Sequence, residues 1–157
     1  MENDHNWHGV APNDEQLQKA LTLNPKFINS YVPLGKTFVQ KNLYPKAIEA
    51  FSKLPVRPWD QGDNGLLYLS YTYALAGNMT TAKALLARVS EEDRLKCPYV
   101  LGYVYMGMGD FSGALTQLEY SYKIHSIMLG FLKIDPVWDP IRNEPRFKAL
   151  LKSAGFE

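Results

Sequence analysis

The residues most able to do chemistry in this chain are His5, His8, His125, Cys97 and the aspartates Asp135 and Asp139. A zinc site needs two ligands on one face and further ligands close by. His5 and His8 stand near a polar terminus, while His125 and Cys97 lie far from them and from each other. Cys97 would need a neighbouring base to act as a nucleophile, and its sequence neighbour at an expected helix start is Pro98. Asp135 and Asp139 invite pairing as acid and base, but each opens an acid-proline step that turns and helix caps explain. Gly102, Gly107 and Gly109 follow no strand and form neither G-x-G-x-x-G nor a phosphate-binding loop. The chain is therefore expected to be no enzyme, with no catalytic residues, no metal and no cofactor.

What it has in excess is aromatic surface. Of 157 residues, 13% are aromatic, mainly 10 Tyr and 7 Phe, which is more than a small core needs. Hydrophobic residues at 46% and charged residues at 21% exclude wholesale disorder, and the length suits one domain. With 17 Lys and Arg against 16 Asp and Glu, the net charge of +1 offers no broad footprint for nucleic acid or anionic lipid. The single cysteine excludes an internal disulfide. Met1 to Asp14 is polar and acidic, unlike a secretory leader. The longest uncharged apolar stretch, Cys97 to Gly109, is too short to span a bilayer. A cytoplasmic protein without membrane insertion is expected.

The elements that must position these rings recur along the chain. One segment holds Tyr31, Leu34, Gly35 and Phe38, then Ala47 and Phe51. A second holds Leu66, Leu69, Ser70 and Tyr73, then Ala82 and Leu86; a third holds Pro98, Leu101, Gly102 and Tyr105, then Ala114 and Leu118. Corresponding positions are offset by 35 and then 32 residues, and a fragment with Leu17, Ala20 and Pro25 comes before them. Tyr31, Leu34, Phe38 and Val39 recur at helical spacing, as do Ala47, Ile48, Phe51 and Leu54. Asn42-Leu43, Gly77-Asn78 and Gly109-Asp110 are expected to turn between paired helices. Gly35, Ser70 and Gly102 are small where a facing helix must come close, and Ala47, Ala82 and Ala114 fill the other side. Loops are expected at Pro55, Pro58 and Gly62 and at Glu91-Glu92-Asp93. Phe147, Leu150 and Leu151 mark a last amphipathic helix from Pro145, stopped by Gly155.

On these residues the chain resembles the tetratricopeptide repeat family, whose pattern is a large residue, Leu-Gly, Tyr, then Ala-x-x-x-Phe and a Pro over about 34 residues. Tyr31-Leu34-Gly35-Phe38 with Ala47-Phe51 and Pro58 follows it; Ser70 and Leu86 depart in the second segment, and Pro98 departs in the third. The resemblance covers about residues 14 to 125. It implies an all-α right-handed solenoid of antiparallel hairpins: a partial repeat at 13–27, repeats at 28–62, 63–94 and 95–125, and a helical cap at 126–157. The tail, with Leu132-Lys133-Ile134-Asp135-Pro136 and Trp138-Asp139-Pro140-Ile141-Arg142, is similar to the segment that closes repeat regions of bacterial signalling proteins. Such relatives carry cyclase, kinase or winged-helix domains upstream. The likeness implies a detached adaptor or sensor region.

In that family one row of first-helix positions looks into a concave groove. By resemblance it holds Lys36, Tyr71 and Tyr103, with Asn29, Val32, Gln40, Asn64, Leu67, Tyr99 and Met106 in neighbouring rows. Tyr suits such a surface, giving contact area and a polar tip. The alternative is that these rings pack on one another or under the cap. Phe38, Tyr73 and Tyr105, at another repeat position, are expected in the core. Relatives that grip acidic chaperone tails use Lys, Arg and Asn in the groove. Here Val32, Tyr68 and Val100 replace several of them, and Lys96 alone matches by type. The expected partner is a protein or peptide other than a chaperone tail, with no nucleic acid. Self-association into a homo-oligomer or structural module is the competing reading, and a small-molecule sensor domain is the third.

Overall fold

The computed structural model describes residues 14–24, 28–56 and 64–156, and every regular element among them is helical. The all-α class is as expected. His5, His8, Pro25, Pro58 and Gly62 lie outside the described residues. The chain gathers into two compact units, Met1–Leu54 and Pro55–Glu157.

The first unit contains α1 (Asp14–Leu23), a 3-10 turn at Ile28–Ser30, α2 (Tyr31–Gln40) and α3 (Tyr44–Phe51). Helical spacing puts Leu34, Gly35 and Phe38 on the inner face of α2, and Ala47, Ala50 and Phe51 on that of α3. Gly35 admits the Phe51 ring: a Cβ there would lie 2.3 Å from Cε1, closer than any carbon can sit. Asn42 takes φ 56°, which an L-residue adopts with strain and Asn tolerates better than most. Its N–H bonds Val39 O, and Leu43 N–H reaches back to Phe38 O at 2.8 Å. That pair of bonds satisfies the last carbonyls of α2.

The second unit contains α4 (Gly65–Leu75), α5 (Met79–Ala87), α6 (Glu91–Lys96), α7 (Pro98–Gly107), α8 (Phe111–Lys123), 3-10 segments at Ile127–Phe131 and Pro136–Ile141, and α9 (Pro145–Ser153). Helix α4 packs on α5 and α7, and α7 packs on α8. Both α4 and α7 are apolar all round and buried on nearly every face, as central helices must be. Their few polar groups are satisfied: Ser70 Oγ donates to Ala82 O at 2.8 Å and Thr72 Oγ1 to Tyr68 O at 2.8 Å. Gly77 (φ 81°) and Gly109 (φ 77°) end α4 and α7 with the bonding seen at Asn42. Asn78 N–H reaches Tyr73 O and Asp110 N–H reaches Tyr105 O, both at 2.9 Å. The side chains of Asn78 and Asp110 then cap the next helices, accepting from Thr81 N and Gly113 N.

Two expectations are corrected here. Glu91-Glu92-Asp93 open a short helix in place of a loop. Ser90 caps it, accepting from Asp93 N at 3.1 Å, and the three acids complement its positive end. Arg94 then donates to Leu86 O and Val89 O, closing the end of α5. Phe38 is buried as expected, but Tyr73 and Tyr105 are only half-buried. The reason is that Tyr68, Tyr71, Tyr99 and Tyr103, on the adjoining faces, fill the interior instead.

The last helix forms from Pro145 and ends at Gly155 (φ 78°), as its sequence predicts. It packs on α8 with Phe147 and Leu150 buried. Arg146 grips Glu119 through two bonds of 2.9 and 2.8 Å, and also reaches the hydroxyls of Ser112 and Thr116.

Candidate functional site

The residues expected to meet a partner divide between the two units. Asn29 lies in the 3-10 turn before α2, Val32 and Lys36 are half-buried on α2, and Gln40 ends that helix exposed. In the second unit, Leu67, Tyr71, Tyr99, Tyr103 and Met106 are all buried. Asn64 is buried as the cap of α4; its Oδ1 accepts from Leu66 N at 2.9 Å, and its Nδ2 has no hydrogen-bond partner among the described residues. A row of rings open to solvent is therefore not what the second unit presents. Its rings pack on one another beneath the C-terminal segment, which was the alternative expectation.

The packing has a definite centre. Tyr103 touches Tyr68, Tyr71 and Tyr99, with ring centroids 6.2, 5.5 and 5.5 Å away. Trp138 closes the cluster, 5.2 Å from both Tyr99 and Tyr103. Edge and tilted arrangements of this kind suit the ring quadrupole. Trp138 enters over Gly102, where a Cβ would stand 2.9 Å from Cη2. Its indole Nε1 donates to Tyr99 Oη at 2.8 Å, and the Tyr103 hydroxyl donates to the Asp135 carboxylate.

Asp135 is positioned by the acid-proline step that the sequence marks. Its Oδ1 accepts from Val137 N at 3.2 Å and so caps the 3-10 segment Pro136–Ile141. Arg142 holds the same strap, donating to Lys133 O at 2.7 Å and Asp135 O at 3.0 Å. Asp139, by contrast, is exposed and paired with Arg142 at 2.5 Å. One carboxylate is buried under a tyrosine and the other sits in water beside an arginine, so the two have different partners. Burial, and then the Asp135 charge, push the phenols of Tyr99 and Tyr103 well above their ordinary range. Both remain proton donors at neutral pH and neither can serve as a base.

The first unit presents a different surface. An open cleft of about 470 Å³ runs between α1, α2 and α3. Leu21, Tyr31, Leu34, Phe38 and Ala50 make its apolar part, and Gln18, Thr22, Lys46, Glu49 and Lys53 its polar rim. The Lys46 ammonium stands 5.7 Å from the centre of the Phe38 ring. None of the rim residues was expected from sequence. The available signal was the helical spacing of Lys46 and Glu49 on α3, continued by Lys53 just past its end, beside the apolar stripe of α2.

Among the described residues, no three His, Cys, Asp or Glu side chains converge on a metal position, and no helix is long and apolar enough to cross a membrane. Cys97 is buried at the start of α7. Lys96 is exposed and paired with Glu92. No family model, curated protein or solved structure matches the chain.

Proposed function

We propose that the chain is a non-catalytic peptide-binding module of tetratricopeptide type, whose hairpins stack as a right-handed solenoid and whose partner enters the cleft of α1, α2 and α3. The cleft is the observation that carries this reading. It is concave and open, and its lining divides evenly between an apolar floor and a polar rim, which suits a segment of mixed polarity. The repeat interpretation draws support from three helix turns of one geometry, at Asn42, Gly77 and Gly109, spaced by the same 35 and 32 residues as the sequence pattern. It also draws on Ala47, Ala82 and Ala114, all fully buried one helix beyond each turn. A role as adaptor or sensor in a signalling system rests on the likeness of the tail to segments that close such repeat regions. Fold analogy supplies the step from repeat to partner binding.

The test is selection from a displayed random peptide library on the full chain, followed by Thr22→Trp. Thr22 is exposed at the rim, so the indole obstructs the cleft without touching the core. Selected peptides should lose at least about tenfold in affinity while helical circular dichroism is unchanged. Peptides that bind the obstructed chain equally well would place the site elsewhere.

A further inference from the structure

Ten large apolar side chains stand exposed among the described residues, and five of them fall between positions 122 and 134: Tyr122, Ile124, Ile127, Phe131 and Ile134. Ile127 is 73% exposed. The segment also has an inner side, because Leu129 and Leu132 are buried. It is thus apolar inside and out, whereas a surface element needs only one apolar side. Clustered exposure of this kind marks an interaction site, while scattered exposed residues do not.

Two hydrogen bonds join this segment to the end of α9. Tyr122 Oη donates to Ser153 O at 3.0 Å, and Lys133 Nζ donates to Phe156 O at 3.1 Å. The segment itself carries one sign of charge. Residues 120 to 134 contain no Asp or Glu. Lys123, Lys133 and Lys152 are exposed, and none makes an ion pair with a described residue.

We infer that this face of the second unit docks an acidic protein segment whose apolar side chains cover Ile127, Phe131 and Ile134 while its carboxylates meet the lysines. Complementary charge favours such a partner over a second copy, which would set lysine against lysine. Three lysines fall short of the cluster that anionic lipid headgroups require, and the 3-10 segment Ile127–Phe131 is not the amphipathic α-helix that lies in a membrane interface. The surface belongs to the second unit and the cleft to the first, and the inference needs no part of the binding proposed there.

The experiment uses the full chain and the same displayed random peptide library, run in parallel on Thr22→Trp, Ile127→Asp and the double variant Lys123→Glu/Lys152→Glu. One peptide class should be rich in Asp and Glu with Leu or Phe, and Thr22→Trp should leave it bound. It should weaken as salt rises and lose at least about tenfold in affinity with Ile127→Asp. The charge-reversed chain should select basic apolar peptides instead. That inversion distinguishes docking from a merely structural role, because every changed side chain is exposed. Selection of peptides without acids, or indifference to both variants, would overturn the inference. So would co-sedimentation with vesicles of phosphatidylserine and phosphatidylcholine that Ile127→Asp abolishes, or a concentration-dependent dimer that the same change dissolves.

Discussion

Gly35 in the first unit and Gly102 in the second occupy the same place in the sequence pattern, and each is a glycine because a ring lies against it. The rings differ in origin. Phe51 comes from the helix paired with α2, a hairpin neighbour. Trp138 comes from a strap beyond the last hairpin, and it brings Asp135 with it. Where the filling residue is local, an apolar cleft is left open between three helices. Where it arrives from the tail, the tyrosines of α4 and α7 close into an interior. The same small residue therefore stands beside an open cleft in one unit and beneath a closed aromatic cluster in the other.

The sharpest way to break this comparison is to remove the strap's ring. Trp138→Ala removes the ring that closes the aromatic cluster and takes the indole donor from Tyr99 Oη. Truncating a fully buried tryptophan costs about 3–5 kcal/mol, so chemical denaturation should show a loss of that order. A loss below about 1 kcal/mol would mean that the strap does not close the second unit.

The two glycines sharpen it next. Gly35→Ala and Gly102→Ala should each destabilise by about 1–3 kcal/mol through overpacking, less the ~1 kcal/mol by which alanine favours a helix. Gly35→Ala should be the worse of the two, since its Cβ would meet Phe51 at 2.3 Å against 2.9 Å for Trp138. Gly130, with nothing within 4 Å of its Cβ position, is the control and should accept alanine without loss. Equal melting of all three variants would refute the close contacts.

Alkali tests the buried phenols. Tyr99 and Tyr103 hold their protons in the folded chain to higher pH than in the unfolded chain, where tyrosine ionises near about pH 10. Above that pH the unfolded state has given up protons that the folded state keeps, so stability is intact below about pH 10 and falls as pH rises beyond it. Tyr99→Phe should flatten this alkaline slope, measured as melting temperature against pH. Tyr103→Phe should flatten it too, while costing about 1–3 kcal/mol at neutral pH by leaving the Asp135 carboxylate short of a donor. The smallest effect is expected at Arg146→Ala. Its pairing with Glu119 is well formed but lies in solvent, so the loss should stay under about 1 kcal/mol and shrink further in salt.

Much of the local structure was legible in the sequence. Gly77 and Gly109 take positive φ at the turns expected of them, Asn42 does so at the expected break, and the small residues at 35, 70 and 102 stand at the close contacts. Helix α6 was also legible in principle, from Ser90 followed by three acids, but short helices are easily read as polar loops. The fate of the tyrosines was not. In α4 and α7 nearly every side chain is apolar, so periodicity names no outer face. Which ring turns inward is decided by Trp138, which lies 39 residues beyond Tyr99 and leaves no trace in the local pattern. The cleft was hidden for a similar reason, because three separated elements build it.

Under the proposed function a partner meets the first unit and leaves the aromatic rows of the second untouched. Hydrogen–deuterium exchange of the full chain, with and without a library-selected peptide that Thr22→Trp rejects, tests it most directly. Added protection should concentrate in residues 18–22 of α1 and 46–51 of α3, which border the cleft. Protection that rises instead along α4 and α7, around Tyr71 and Tyr103, would contradict the claim and return the partner to the tyrosine row.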